Sequence, residues 1–205
     1  LDMGFINDIK KVIANLPRAR QTILFSATMP KEIETLANTI LINPVRVDVA
    51  PPATTAEKVE QSVMLVETAN KRDLLRHLLA KPEFKRVIVF TRTKHGANGV
   101  AEVLYKNKIS CDAIHGNKSQ NARIRSIENL KAGKIQVLIA TDVAARGIDI
   151  DNITPVINYD VPNVAESYVH RIGRTARAGT EGIAISFCDV EEKSFIFDIE
   201  KTIKM

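Results

Sequence analysis

The chain has 205 residues, 45% hydrophobic and 26% charged, an ordinary globular balance with length for one or two buried cores. Its formal net charge is a modest +5. No apolar run approaches the ~20 residues of a membrane span and no signal-peptide pattern opens the sequence, so a cytoplasmic protein without a membrane partner is expected. Cys111 and Cys188 lie far apart in strand-like runs and read as buried free thiols, while the four histidines show no metal-ligand spacing with them.

LDMGFINDIKKVI reads as the middle of a fold. QTILFSAT (21–28) reads as a strand, PKEIETLANTIL (30–41) as a helix with Pro30 in its first turn, and PVRVDVA (44–50) as a second strand. The stiff, polar, aperiodic stretch that begins at Pro51-Pro52 is taken as a linker over 51–58. Strands are then predicted at 59–67, 86–91, 111–115, 135–141, 155–159 and 182–188. Helices are predicted at 71–80, 94–107, 119–132, 164–173 and 190–203. Asn70 with Asp73, Asn163 with Glu166, and Asp189 with Glu192 have capping-box spacing, and Ser119 is a further cap.

RVIVF and QVLIA are apolar on both faces, as strands of a helix-covered parallel sheet must be. The alternation predicts an α/β fold, a doubly wound parallel sheet flanked by helices. Residues 1–49 supply too few elements for such a sheet. Residues 1–50 are therefore read as the end of one domain, cut from its front, and residues 59–205 as a complete second one. Charge is concentrated too: residues 85–131 carry ten Lys/Arg against three Asp/Glu, so either a solvated basic surface or a polyanion partner is expected there.

In open α/β sheets ligands gather at the carboxyl ends of strands, and four polar segments fall at such places. Ser26-Ala27-Thr28 follows the first strand and could be no more than a helix cap. His115-Gly116 precedes Gln120 and Arg123, which share a helical face; helix-start amides with an arginine suit a phosphate, and an exposed amphipathic helix suits the same letters. Thr141 through Asp149 packs two acids, Arg146 and Gly147 into one segment. There Gly147 permits close backbone approach and Asp149 suits a ribose hydroxyl, while an internal salt bridge plus turn is the plainer account. Arg171, Arg174 and Arg177 stand three residues apart with no acid from Arg171 to Gly179, a spacing that repels itself unless anions intervene or water solvates it.

FSATMP, VIVFTRTK, HGNKSQNAR, IATDVAARGID and YVHRIGRTARAG, in that order, resemble helicase motifs of the DEAD-box RNA helicases. The resemblance covers essentially the whole chain, and the ending TEGIAISFCDVEEKSFIFDIEK is similar to the bacterial RhlE-like subgroup. It implies RecA-like domains, ATP with magnesium held mainly by a first domain outside this chain, and RNA gripped through its backbone with little sequence preference. It further implies that Arg174 and Arg177 meet the ATP phosphates, Arg174 as the finger, and that Asp149, with Gly147 beside it, meets the ribose. His170 and Arg171 match positions that bridge to the first domain, and Ser26 and Thr28 match the motif coupling hydrolysis to unwinding. Thr91, Arg92, Gly116, Gln120, Arg123, Thr141 and Arg146 match RNA-backbone or interdomain positions.

Two departures stand out. Ala176 replaces a more usual glycine and leaves the arginines in register. No G-x-x-x-x-G-K-[ST] loop occurs, Gly133-Lys134 being the only Gly-Lys pair, and the acidic box is absent as well; this chain alone is expected not to hydrolyse ATP. A DNA translocase of the same superfamily and a non-catalytic RNA-binding module are the rival readings.

Overall fold

The computed structural model describes residues 5–26, 29, 31–48, 59–145, 155–175 and 182–203. The chain divides into two compact units, Leu1–Ala50 and Pro51–Met205. Linker residues 51–58 lie outside the described residues.

The first unit holds two helices, α1 (Ile6–Ala14) and α2 (Lys31–Ile40), the second of which buries Leu36 and Ala37. The two strands expected here do not form: residues 21–26 and 44–48 are irregular. A strand exists only by exchanging backbone hydrogen bonds with a neighbour, and neither run finds one among the described residues. Their apolar side chains show it, with Phe25 91% and Val45 90% exposed.

The second unit is one six-stranded sheet. Its strands are β1 (Val59–Leu65), β2 (Val87–Phe90), β3 (Cys111–Ile114), β4 (Val137–Ala140), β5 (Val156–Asn158) and β6 (Gly182–Cys188). Their order is β1-β6-β5-β2-β4-β3, and every neighbouring pair is parallel. The helices are α3 (Lys71–Leu79), α4 (Lys94–Lys106), α5 (Gln120–Lys131), α6 (Asp142–Ala145), α7 (Ala165–Ile172) and α8 (Lys193–Ile203).

Alternate residues of each strand supply opposite faces. Val87 and Val89 pack with Leu75, Leu78 and Leu104 of α3 and α4, whereas Ile88 and Phe90 join Leu130 of α5 and Ala144 of α6. A third cluster sets Val59 and Ala184 against Tyr168, Ile172 and Ile199 of α7 and α8. β2 and β4 are buried at every position, and full burial of each Val, Ile or Phe is worth about 1.5–3 kcal/mol, which lets strands this short hold the sheet. The doubly wound architecture is thus the one the alternation implies.

Two of the three capping-box expectations need correction. Asn70 makes no side-chain cap bond, and α7 starts from Val164 rather than Asn163, also without one. Asp189 and Glu192 do form the reciprocal box: the Glu192 N–H donates to Asp189 Oδ1 at 3.0 Å and the Asp189 N–H to Glu192 Oε2 at 3.4 Å. Ser119 caps α5, and Thr93, not foreseen, caps α4. The Gly133-Lys134 pair ends α5: Gly133 has φ +68°, its N–H meets the Leu130 carbonyl, and the Lys134 N–H meets that of Asn129. That is a helix C-terminal cap needing glycine, with no phosphate-loop geometry.

Candidate functional site

β2 and β5 are neighbours, but the chain leaves β2 toward the β3 edge of the sheet and leaves β5 toward the β6 side, so the two connections diverge. Such a switch point opens a crevice at the carboxyl ends of the strands, and several of the expected residues directly follow these strands. Thr91 and Arg92 follow β2; His115 and Gly116 follow β3; Thr141 and Asp142 follow β4; Asp160 follows β5; Asp189 and Glu192 follow β6.

Thr91 is fully buried, and its hydroxyl donates to the Thr93 carbonyl at 3.2 Å. The Arg92 N–H donates to Asp160 Oδ2 at 2.8 Å, which ties the β2 exit to the β5 exit. Thr141 is buried, and its carbonyl accepts from the Ala144 and Ala145 N–H groups, starting the short helix α6 where the sequence pattern suggests a turn. Gln120 and Arg123 do share one face of α5, where Arg123 Nη1 donates to Gln120 Oε1 at 3.0 Å. Arg123 Nη2 reaches the Ala144 carbonyl at 2.8 Å, so α5 and α6 are pinned together. Its buried Nε has no hydrogen-bond partner among the described residues, a donor left over in a polar crevice. A side chain at Gly116 would meet nothing within 4 Å, so the backbone there is open to a ligand.

His115 is buried beside that glycine. Its Nε2 lies 3.0 Å from Asn98 Oδ1 and its Nδ1 accepts from the Asn117 N–H at 3.3 Å. Those partners fit a neutral ring carrying its proton on Nε2. Burial, first, and then Lys118, Lys94 and His95 hold its pKa below the usual histidine value.

On α7, Arg171 is 1% exposed. Its Nε and Nη2 donate to the two oxygens of Asp142 at 2.6 and 2.9 Å, and Nη1 donates to Asn158 Oδ1 and the Asp160 carbonyl. Its guanidinium lies 5.1 Å from the centre of the Phe90 ring. Arg171 therefore locks α6, α7 and the β5 exit together inside this unit. His170 and Arg174 line a small cleft with Asp142, Ala145, Ser167 and Arg171, and Arg174 Nε donates to the His170 carbonyl at 3.3 Å.

Ser26 is exposed in the first unit. Thr28, Arg146, Gly147, Asp149 and Arg177 lie outside the described residues. Sequence reasoning passed over Asp142, Asp160, Lys71 and Glu192 as site members. Asp142 and Asp160 had a signal, an acid right after an apolar strand, but Glu192 showed only its capping spacing. Among the described residues no group of three His, Cys, Asp or Glu could hold a metal ion, and no helix is long and apolar enough to cross a membrane.

The family described as "Helicase conserved C-terminal domain" matches residues 70–179. The ATP-dependent RNA helicase DbpA of Bacillus subtilis is 45% identical over 203 residues, 99% of this chain but 42% of that protein. The E. coli DEAD-box protein SrmB, solved bound to the regulator RraA, is 38% identical with a TM-score of 0.65, over 69% of this chain and 84% of that one. S. cerevisiae Dbp5, solved bound to RNA and ADP BeF3, is 31% identical with a TM-score of 0.85, over 97% of this chain and 53% of that one. The chain thus spans less than half the length of its curated relatives.

Proposed function

Since the chain belongs to the DEAD-box helicases, through their conserved C-terminal domain, we propose that it is the rear part of an ATP-dependent RNA helicase. In this reading it supplies the arginine side of an ATP site and half of an RNA site, and works in the cytoplasm. A first RecA-like domain bearing the phosphate loop and acidic box would hold most of the ATP and its magnesium. The RhlE-like placing rests on the ending of the sequence alone; relatives found here bear the names DbpA and CshA.

The supporting observation is the set of residues at one end of the sheet. Arg92, Gly116, Gln120, Arg123 and Thr141 offer a hydroxyl, open backbone, a side-chain amide and guanidinium groups, the kinds of group that sugar–phosphate recognition uses, with Thr91 buried behind them bracing the β2 exit. Arg174 lies in the neighbouring cleft, held by its own helix. An arginine brought to a transferring phosphoryl group lowers the barrier by stabilising charge there. Closure of two domains on ATP and RNA together would deliver it, so turnover would depend on RNA. Because Arg171 joins α7 to α6, a shift at Arg174 would be felt at Thr141 and Arg123 through rigid contacts.

The test is RNA-stimulated ATP hydrolysis by the chain joined to its upstream domain, beside the same protein with Arg174→Ala. Stimulated turnover in the parent, and its loss in the variant with ATP still bound, supports the reading. A parent that RNA does not stimulate makes the chain a binding module; stimulation by DNA alone makes it a DNA translocase.

A further inference from the structure

We propose that Glu192 is a positioning residue that holds the Arg92 guanidinium ready for a phosphate of the RNA backbone, an inference that rests on the RNA reading above. The two residues are 100 positions apart in sequence, and only the fold brings Glu192, just past β6, against the exit of β2.

Glu192 is 4% exposed, and its two oxygens are fully engaged. Oε1 accepts from Arg92 Nη2 at 2.6 Å and from the Val161 N–H at 3.1 Å. Oε2 accepts from Lys71 Nζ at 2.5 Å and from the Asp189 N–H at 3.4 Å. Lys71 is itself buried, so it balances the carboxylate but cannot reach a ligand. A buried carboxylate–ammonium pair is a poor stability device, because desolvating both ions offsets most of their attraction. What this pair does supply is a fixed negative oxygen at the root of Arg92.

Arg92 is held on several sides. Its Nη2 also donates to the Val161 carbonyl at 3.0 Å, and its guanidinium lies 5.6 Å from the centre of the Phe195 ring. Its Nε and Nη1 have no partner among the described residues, and the side chain stays 42% exposed. An arginine with one nitrogen tethered, its plane set by a ring and its other donors unspent has lost its rotamer freedom before any phosphate arrives.

The sign of the expected effect separates positioning from plain charge. Removing an acid from a basic surface strengthens polyanion binding if only charge matters. Positioning predicts the reverse. Glu192→Gln alone strands a buried Lys71 charge and destabilises the unit, so the informative variant is the pair Lys71→Met with Glu192→Gln; it leaves the net charge unchanged, so plain charge predicts unaltered binding where positioning predicts weaker binding.

The experiment measures binding of a fluorescent single-stranded uridylate decamer, with a non-hydrolysable ATP analogue present, to the chain joined to its upstream domain, to the pair variant of that protein, to Arg92→Ala, and to all three substitutions together. The pair variant is expected to bind about tenfold more weakly, the worth of one charge-assisted hydrogen bond. Adding Arg92→Ala to it is expected to cost nothing further. A pair variant that binds as tightly as the parent or tighter, while Arg92→Ala weakens binding, overturns the positioning role and leaves the RNA reading intact. A pair variant and Arg92→Ala whose losses add also overturn it, because Glu192 then acts elsewhere. A parent that does not bind the decamer removes the RNA reading, and this proposal with it.

Discussion

Arg171 of α7 grips Asp142 of α6 through two hydrogen bonds, of 2.6 and 2.9 Å, although 29 residues separate them. The grip joins the segment after β4 to the arginine-rich helix, so two stretches expected to serve different ligands move as one body. Removing one partner of such a pair strands the other, and the cost of a buried break is about 3–5 kcal/mol. Asp142 keeps 31% of its side chain exposed, so Arg171→Ala is expected to cost about 3 kcal/mol, at the low end of that range. Arg171→Lys keeps the charge but not the fork, and is expected to restore only part of the loss. Urea unfolding midpoints measure both; a midpoint unchanged in Arg171→Ala contradicts the assignment.

His115 makes the chain sensitive to mild acid. Its folded pKa lies below the ordinary 6.5, first because of burial, so the unfolded chain binds the extra proton more readily. Stability contributed by the neutral ring is therefore present above 6.5 and is lost as pH falls from there through the folded pKa. Protonation also ends the Nδ1 acceptor role toward the Asn117 N–H and loosens the turn at Gly116. Melting temperature is expected to drop over this window in the parent and much less in His115→Gln. Parallel curves would clear His115 of the effect.

Arg123 serves two partners already, Gln120 and the Ala144 carbonyl, with its Nε left over. Arg123→Ala is expected to weaken RNA binding and to flatten the slope of log affinity against log salt by about 0.7, the share of one phosphate on a single strand. A salt titration of oligonucleotide binding checks it, and an unaltered slope removes Arg123 from the RNA site.

Both thiols are expected to be sluggish. Burial pushes the Cys111 thiol up to about 11, and burial and then Glu192 push Cys188 up as well. At pH 8 little thiolate forms at either, so a disulfide-exchange reagent should label the folded chain far more slowly than the unfolded one. Rapid labelling of both in the native state would show that the sheet opens readily at β3 and β6.

The chain by itself is expected to release no phosphate from ATP, with or without RNA. It has no phosphate loop, and its one Gly-Lys pair is occupied in ending α5. RNA-dependent release by the purified 205-residue chain would require a nucleotide site of another kind.

The elements of the second unit were legible because each is written in local periodicity. β6 spans the predicted 182–188, and α3, α4 and α5 stop within one residue of their expected ends. Local pattern misled where structure depends on a partner. QTILFSAT and PVRVDVA have strand composition, but no neighbour among the described residues completes their hydrogen bonds, and residues 21–26 and 44–48 are irregular. Asn70 and Asn163 had cap spacing and make no caps, since a cap also needs the backbone to turn at that residue.

The sequence by itself determined that strands and helices alternate, that basic residues cluster at 85–131, and that polar motifs follow strands, all properties of neighbouring letters. Tertiary structure alone decided the strand order, and with it which motifs meet: Arg92 with Asp160 and Glu192, Arg171 with Asp142, Lys71 with Glu192. Those contacts span 29 to 121 residues. No local rule reaches so far, because the cost of burying a charge is settled only when packing chooses its partner.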